Sequence, residues 1–468
     1  MLYKNEKLQE FNQYIKDRKI AIIGMGVSNI PLLDYFQAHH AKVTVFDNRE
    51  LDQIDEIAIQ KINSYQMLYY FGKDNLKHLQ NFDIIFRSPS AMPFIPEIEE
   101  EVERGAILTS EIEMVMKLTP SKVIGITGTE GKTTTTTIIS EIIKKAGYRY
   151  FLGGNIGKPL FTQIENMRPE DLVILEMSSF QLMNMKDSPD IAVVTNIYPD
   201  HLNIHRSYEE YREAKTNIFK FQDKNGIAIL NYDNQFTRQF AKQCNGKVLF
   251  FSSKEKLGDG YIYDEQDEKI KYCIDGVRRH ILDRKDIKLR GIHNYENICA
   301  ALAATSSLVD IQTQIEAIKA FNGVEHRLEF VKEIEGVKWY NDSIGTSPAS
   351  TISGLKAFDE NIILIAGGSD KGLDYTQVGE MIAQKVGILI LIGVTASKIE
   401  EATQNALTKI GKNIPIYHGD TFEEAVYLAK EKAKKGDVVL LSPASASFDM
   451  FKNFAQRGEK FKDLVNTF

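Results

Sequence analysis

The chain has 468 residues, of which 43% are hydrophobic and 26% charged, and its formal net charge at pH 7 is −7. This length is too great for one core and predicts about three domains of roughly 100–200 residues each. The acidic balance argues against general nucleic-acid binding, so any bound anion needs a local site. Cys244, Cys273 and Cys299 lie too far apart for a disulfide framework or a zinc pair. Since no signal-peptide pattern and no apolar run of about 18 residues occur, we expect a cytoplasmic protein without a membrane span.

The first unit is predicted to be a small nucleotide-binding α/β fold. A helix over 7–18 precedes a strand over 19–23 and a glycine-rich turn, and a second strand over 42–46 ends at Asp47, whose carboxylate could bind a ribose hydroxyl. Asn29 replaces the third glycine of G-x-G-x-x-G, so the fingerprint is weak. A mononucleotide domain, a dinucleotide dehydrogenase and an α/β fold without nucleotide all remain open for this segment.

The strongest local signal is a phosphate-binding loop in the middle of the chain. A β-branched strand over 123–127 runs into a turn ending in Gly-Lys-Thr at 131–133, and a helix is predicted over 133–146. Glycines let backbone N–H groups surround an anion, Lys132 adds a positive charge, and the threonine hydroxyl can ligate Mg²⁺. The spacing is not the standard G-x-x-x-x-G-K-[ST], because Ile126 stands where the first glycine belongs. An ordinary strand–turn–helix is the alternative.

Further polar residues are predicted at the same edge of a central sheet. The GGNIG segment at 153–157 is expected to be a flexible loop near a ligand, and Glu176 ends a buried strand. Ligands of open α/β sheets bind outside the carboxyl ends of strands, so Glu176 could hold the Mg²⁺ of a nucleotide or simply cap the next helix. His201, after a strand over 191–195, fits a metal ligand or a structural histidine equally. From the residues alone, Lys215, on a helix predicted over 208–221, is interpreted as a solvated lysine.

The remainder of the chain continues the alternation of strands and helices. Asn294 and Asn297 open an alanine-rich helix and lie three residues apart, hence on one face. The pattern predicts an α/β fold of three domains, each a mostly parallel sheet with flanking helices, with boundaries at 1–110, 111–322 and 323–468.

Taken together, the motifs resemble the Mur ligase family over essentially the whole chain. The matches are GTEGKT at 128–133, GGNIG at 153–157, EMSSFQL at 176–182, DH at 200–201, YREAK at 211–215, HNYEN at 293–297, GVEHR at 323–327, NDS at 341–343, GGSDKG at 367–372 and SPASASFDMFKNFAQRG at 442–458.

The resemblance implies an N-terminal UDP-binding domain, a central ATPase domain and a C-terminal dinucleotide-fold domain that binds an amino acid. The implied reaction is ATP-driven amide formation in peptidoglycan precursor synthesis, adding D-glutamate to UDP-N-acetylmuramoyl-L-alanine through an acyl phosphate. Mg²⁺ is expected at two sites, with no nucleic-acid partner and a monomeric chain. The loop at 442–458 and Lys371 favour D-glutamate, and the D-N-P-R signature of members that add lysine or diaminopimelate is absent. Another Mur or folylpolyglutamate-type ligase and a catalytically silent homologue are the alternatives.

The resemblance also implies roles for individual positions. Phosphoryl transfer would depend on Lys132, Glu176, His201 and Lys215, and the metal ligands would be Thr133, Glu176, His201 and Lys215, the last as a carbamate. ATP would be bound by Gly128, Thr129, Glu130, Gly131, Lys132, Thr133, Thr134, Asn294, Asn297, His326, Arg327 and Asp342. The UDP substrate would contact Val27, Ser28, Asp47, Arg49 and Asn155. D-Glutamate would contact Thr346, Lys371, Ser447 and Phe454.

Four positions depart from the family pattern. Ile344 stands where members often carry a lysine, Asn48 replaces a threonine, Ser90 a glycine and Phe448 a leucine. These departures concern the contacts with nucleotide and amino acid, and leave the reaction class unchanged.

Overall fold

A computed structural model describes residues 3–201, 204–255 and 257–468. Within these ranges the strands form three sheets, and the fold is α/β with mostly parallel sheets, as predicted. The chain divides into two compact units, Met1–Asp286 with His293–Lys319, and Ile287–Ile292 with Ala320–Phe468.

The first sheet of unit 1 is parallel, in the order β3-β2-β1-β4-β5. Its strands are β1 Lys19–Ile23, β2 Lys42–Asp47, β3 Leu68–Phe71, β4 Ile84–Arg87 and β5 Ile107–Thr109. The accompanying helices are α1 Glu6–Ile15, α2 Ile30–Ala38, α3 Glu56–Ser64, α4 Pro96–Glu103 and α5 Glu111–Leu118. Helix α1 ends earlier than predicted, because Asp17 takes a left-handed φ of 62°.

The second sheet of unit 1 has the order β14-β13-β12-β11-β10-β9-β6-β8-β7. Its strands are β6 Lys122–Thr127, β7 Tyr150–Gly154, β8 Leu172–Glu176, β9 Ile191–Val194, β10 Ile227–Asn231, β11 Lys247–Ser252, β12 Gly260–Asp264, β13 Lys269–Ile274 and β14 Val277–Asp283. The helices are α6 Lys132–Lys145, α7 Ser179–Leu182, α8 Tyr208–Lys220, α9 Gln235–Phe240, α10 Ile292–Thr305 and α11 Ile311–Ala320.

Two features of this sheet differ from expectation. Strands β12 to β14 form an antiparallel extension that the sequence pattern did not predict. The expected loop over 153–157 is partly wrong, since Gly153 and Gly154 pair with Leu175 and Glu176 as the end of β7. A Cβ on Gly154 would lie 2.1 Å from the Glu176 carbonyl oxygen, so only glycine permits this close approach.

The two sheets of unit 1 share one continuous hydrophobic core. Phe161, between β7 and β8, places its ring 4.8 Å from that of Tyr35, 6.1 Å from Phe86 and 6.0 Å from Phe11, all three from the first sheet's layer. Aromatic burial of this kind fixes the relative position of the two sheets.

Unit 2 carries a sheet in the order β15-β16-β20-β17-β18-β19, parallel except for the β15–β16 pair. Its strands are β15 Glu329–Ile334, β16 Val337–Asn341, β17 Ile362–Gly367, β18 Val386–Ile392, β19 Ile416–His418 and β20 Val438–Leu441. Helices α12 Pro348–Lys356, α13 Thr376–Lys385, α14 Ala396–Ile410, α15 Phe422–Lys432 and α16 Phe454–Asn466 accompany it. Apolar clusters containing Leu364 and Trp339 bury the sheet.

Among the helices of the described residues, none has the length and apolar character needed to cross a bilayer.

Candidate functional site

The predicted phosphate loop lies between β6 and α6. Gly131 has φ 78°, and a Cβ there would lie 2.4 Å from the side-chain oxygen of Asn297, so the position requires glycine on both counts. The backbone N–H of Thr129 donates to the Asn196 carbonyl at 2.9 Å, and that of Glu130 to the Asn196 side chain at 2.8 Å. Asn196, two residues after the end of β9, therefore fixes the conformation of the loop.

Lys132 begins helix α6 and folds back over the loop. Its Nζ donates to the carbonyl oxygens of Gly128 at 3.0 Å and Thr129 at 2.8 Å. Thr133 and Thr134 follow in the first helical turn. The positive end of the helix dipole and the lysine charge thus lie together, which suits a polyphosphate.

The structure brings Asn294 and Asn297 of α10 to this loop. The Thr135 hydroxyl donates to Asn297 Oδ1 at 3.3 Å, and Asn297 Nδ2 donates to Asn294 Oδ1 at 3.3 Å. The predicted shared face of these asparagines is therefore the face that meets the phosphate loop.

Glu176 ends β8 directly beside the loop and is 1% exposed. Its Oε1 accepts a hydrogen bond from Asn155 Nδ2 at 2.9 Å, while its buried Oε2 accepts none from the described residues. Leaving a carboxylate oxygen buried and unpaired is costly, so this atom suits a bound cation. With the hydroxyl of Thr133 near the start of α6, the oxygen donors fit the hard ligand preference of Mg²⁺.

Lys215 is 2% exposed, so its interpretation as a solvated lysine is wrong. Its Nζ donates to the Gly128 carbonyl at 2.7 Å and to the Thr127 hydroxyl at 3.3 Å. Burial, followed by the charge of Lys132, holds the pKa of Lys215 well below its ordinary value. An amine that loses its proton readily is a nucleophile, and this is the property that carbamate formation with CO₂ requires.

Tyr211 is a site residue that sequence reasoning missed. Its hydroxyl lies 2.8 Å from the Thr129 hydroxyl, and the Lys215 Nζ sits 4.9 Å from its ring centroid. The signal was available, because Tyr211 precedes Lys215 by one helical turn on the same face.

His201 follows β9 at the same edge and is exposed, with φ 52°. Its Nε2 lies 3.4 Å from Asp200 Oδ2. The ring of Phe180 is 5.1 Å from the His201 ring and equally 5.1 Å from that of His205, whose Nε2 hydrogen-bonds to the Ser179 hydroxyl at 2.9 Å. His205 was not predicted.

The predicted UDP-binding residues gather at the carboxyl ends of β1 and β2. Asp47 is buried, accepts a hydrogen bond from the Met25 N–H at 2.7 Å and forms a 2.8 Å ion pair with Arg49. Val27 is 77% exposed in the turn beside Ser28. Asn29, in place of the third glycine, donates from Nδ2 to the Gly24 carbonyl at 2.9 Å and so fixes the turn.

Unit 2 contains the remaining predicted nucleotide residues. Asp342 is buried, where it accepts hydrogen bonds from the Ser442 hydroxyl at 2.6 Å and the Leu328 N–H at 3.2 Å, and burial raises its pKa to about 6. His326 Nδ1 lies 3.0 Å from Asn341 Nδ2, and Arg327 is exposed.

The predicted amino-acid residues surround the loop after β20. Ser447 is buried there, Thr346 is partly exposed, and Lys371 is exposed with its Nζ 5.5 Å from the Phe448 ring centroid. The Phe454 ring lies 6.0 Å from that of His326.

Arg457 supports this loop from beneath and was missed. It is fully buried and donates to the Ser343 carbonyl at 2.9 Å and the Ser445 carbonyl at 3.2 Å. Arg457 lies four residues before the buried Phe461 and therefore on the same face of α16. This spacing in the sequence could have predicted that Arg457 is buried.

Comparison with known proteins covers all of these regions. Three family descriptions match: "Mur ligase MurD-like, N-terminal domain" over residues 18–110, "Mur ligase middle domain" over 126–305 and "Mur ligase, glutamate ligase domain" over 326–445.

Relatives match over nearly the full length. A UDP-N-acetylmuramoylalanine–D-glutamate ligase of Ruminiclostridium cellulolyticum is 46% identical over 464 residues, 99% of either chain. One of Clostridium novyi is 44% identical over 457 residues, 98% of either chain.

Among solved structures, the fold is similar to UDP-N-acetylmuramate-alanine ligase MurC of Thermotoga maritima, with a TM-score of 0.57 at 17% identity, covering 96% of this chain and 99% of that one. It is also similar to MurF of Acinetobacter baumannii, with a TM-score of 0.56 at 15% identity, covering 97% of this chain and 92% of that one.

Proposed function

Because the chain belongs to the Mur ligase family, we propose that it is an ATP-dependent amide ligase that adds D-glutamate to UDP-N-acetylmuramoyl-L-alanine. One observation supports this chemistry most directly. The ends of β6 and β8 are paired, so the phosphate loop and the half-satisfied carboxylate of Glu176 are neighbours, and Lys215 is hydrogen-bonded to the same loop.

The reaction has two balanced steps. The carboxylate of the muramoyl-alanine attacks the γ-phosphorus of ATP, and ADP leaves. The amine of D-glutamate then attacks the acyl carbon of this mixed anhydride, loses a proton, and phosphate leaves as the amide forms. Phosphorylation is needed because a free carboxylate is a poor acylating agent.

The phosphate loop carries the first step. The Nζ of Lys132 is hydrogen-bonded to two carbonyl oxygens of the loop. When ATP binds, this ammonium group would contact the β- and γ-phosphates and offset the repulsion between the γ-phosphate and the substrate carboxylate. Backbone N–H groups at the start of α6 orient the phosphates. In unit 1, Asn294 and Asn297 of α10 lie at the same loop and are assigned to ATP as well. In unit 2, the residues assigned to ATP are His326, Arg327 and Asp342.

Glu176 and Thr133 would hold one Mg²⁺. His201 and carbamoylated Lys215 would hold a second. When bound, these ions would neutralise part of the negative charge of the phosphates. The ammonium form of Lys215 cannot ligate a cation, so the second site depends on the carbamate. The low pKa and burial of Lys215 favour that modification.

The substrate pockets follow from the same assignment. UDP is assigned to the ends of β1 and β2 at Val27, Ser28, Asp47 and Arg49, with Asn155 beside Glu176. D-Glutamate is assigned to Thr346, Lys371, Ser447 and Phe454, where Lys371 would pair with a carboxylate. The chain is taken to act as a monomer in the cytoplasm, where ATP is available.

The decisive experiment is phosphate release from ATP with UDP-N-acetylmuramoyl-L-alanine and, separately, D-glutamate, L-glutamate, L-lysine or meso-diaminopimelate. We expect turnover with D-glutamate only. Turnover with another acceptor would keep the ligase mechanism and overturn the assigned pocket, and no turnover with any acceptor would indicate a silent homologue.

A further inference from the structure

Arg87 is a buried cation that the reaction described above does not use. It ends β4 and is 1% exposed. Within the described residues its hydrogen bonds go to neutral groups, and the carboxylate of Glu113 acts on its charge through space. Burial lowers the pKa of Arg87 to about 10, so the side chain stays charged near neutral pH. Burying a cation is unfavourable unless it is fully hydrogen-bonded, and an apolar side chain could fill the same space without that cost.

Every N–H group of Arg87 is directed to a neutral acceptor, on two different segments. On one side, Nη1 donates to the carbonyl oxygens of Ser88 at 3.4 Å and Ala91 at 3.1 Å. On the other, Nη2 donates to the Phe180 carbonyl at 2.7 Å and also to Asn184 Oδ1, and Nε donates to Asn184 Oδ1 at 2.7 Å. The planar guanidinium thus joins the loop after β4 to helix α7 and its C-terminal end.

The loop after β4 lies against the proposed UDP pocket. A Cβ on Gly24 would lie 2.2 Å from the Ser88 hydroxyl, so the turn after β1 and this loop are in close contact. The Ser88 hydroxyl is in turn 2.9 Å from that of Ser90, one of the positions that depart from the family pattern.

The other segment belongs to the proposed metal site. Helix α7 begins three residues after Glu176, and the Phe180 ring is 5.1 Å from the rings of both His201 and His205. The same loop makes a second connection, since the Arg206 guanidinium lies 4.5 Å from the Phe94 ring centroid. The loop therefore contacts the chain both after β8 and after β9.

From these contacts we infer that Arg87 is a positioning residue that couples occupancy of the nucleotide-sugar pocket to the geometry of the ATP and metal site. This inference rests on the proposed function. A substrate that orders the loop over 88–91 fixes the carbonyl oxygens that accept from Nη1 of Arg87. Because the guanidinium is rigid, the Phe180 carbonyl that accepts from Nη2 is then fixed as well. Binding of one substrate then favours binding of the other, with an affinity ratio of about 5–150 for a coupling of ordinary strength.

The test measures the dissociation constant of a non-hydrolysable ATP analogue with Mg²⁺ by calorimetry, with and without saturating UDP-N-acetylmuramoyl-L-alanine. In the unaltered protein we expect at least about a fivefold tightening. In Arg87→Met we expect the ratio to fall close to one, while the analogue alone binds as before. Arg87→Lys should recover only part of the ratio, because one ammonium cannot reach both segments. Arg18→Met, which alters an exposed arginine paired with Asp83, should keep the full ratio.

If Arg87→Met fails to fold, the same affinity ratio is measured in Asn184→Ala, which removes the side-chain oxygen that accepts from Arg87 Nε. We expect the ratio to fall in this variant too. A normal ratio in either variant, or a ratio of one in the unaltered protein, would overturn the inference. Failure of the proposed function would show separately, as absent D-glutamate-dependent phosphate release by the unaltered protein.

Discussion

The Nζ of Lys215 lies 2.7 Å from the carbonyl oxygen of Gly128, although 87 residues separate them along the chain. Helix α8 therefore presents a buried amine to the phosphate loop.

We expect Lys215→Ala to lower kcat by about 10²–10³-fold, as is typical when one preorganised electrostatic group is removed. Labelling with ¹³C-bicarbonate should give a carbamate NMR signal that the variant lacks. Lys220→Ala, on the exposed end of the same helix, is the control. Unchanged turnover in Lys215→Ala would contradict the assignment.

Glu176→Gln should separate metal binding from stability. Glu176 Oε2 receives no hydrogen bond from the described residues, so a neutral amide of the same size removes a buried charge. We expect the variant to be at least as stable as the unaltered protein, because a buried charge with one unpaired oxygen is removed, while kcat falls about 10²-fold or more. Mg²⁺ added together with ATP should raise the Tm of the unaltered protein more than that of the variant, which keeps the phosphate loop but loses the metal ligand. An equal Tm rise in both proteins would show that the carboxylate does not hold the metal.

Gly131→Ala tests the close contact between the phosphate loop and α10. The added Cβ would meet Asn297 Oδ1 at 2.4 Å in addition to the strain of φ 78°. Gly147→Ala is a matched control, because Gly147 has φ 82° and open space around it among the described residues. Left-handed strain alone costs about 1–2 kcal/mol, so both variants should be destabilised by that amount, and Gly131→Ala by more. Only Gly131→Ala should weaken ATP binding, measured by calorimetry. Equal effects of both substitutions would rule out a steric role for Asn297.

Asp342→Asn should change how the stability of unit 2 depends on pH. The pKa of Asp342 is raised from 3.8 to about 6 by burial, so the native state binds the proton more tightly than the unfolded state. The resulting stabilisation is fully present below about pH 4 and is lost as pH rises through about 6, and it amounts to about 3 kcal/mol. Relative to the unaltered protein, the variant should therefore gain stability by up to that amount between pH 4 and 7.

The measurement for Asp342→Asn is urea unfolding followed by tryptophan fluorescence. Trp339 is the chain's single tryptophan, is 1% exposed and lies three residues before Asp342 in unit 2. A stability difference between the two proteins that does not vary with pH would contradict the raised pKa.

Local patterns were sufficient to predict much of the fold. The strands that became β1, β6, β8 and β9 are short β-branched or aliphatic runs bounded by turns, and such runs indicate buried parallel strands without further information. The phosphate loop was also predictable, since its function depends on consecutive residues. Strands β12 to β14 were not predicted, because their alternating polar and apolar residues do not show which neighbour they pair with.

By itself the sequence determined the α/β class, Lys132 as part of the phosphate loop and Glu176 as the end of a strand, because these properties depend on neighbouring residues. Only the tertiary structure decided that Lys215 is buried against Gly128 and that Arg87 donates to the carbonyl of Phe180, which lies 93 residues further along the chain. Burial and desolvation come from contacts distant in sequence, and a helical lysine looks the same in sequence whether it faces solvent or a phosphate loop.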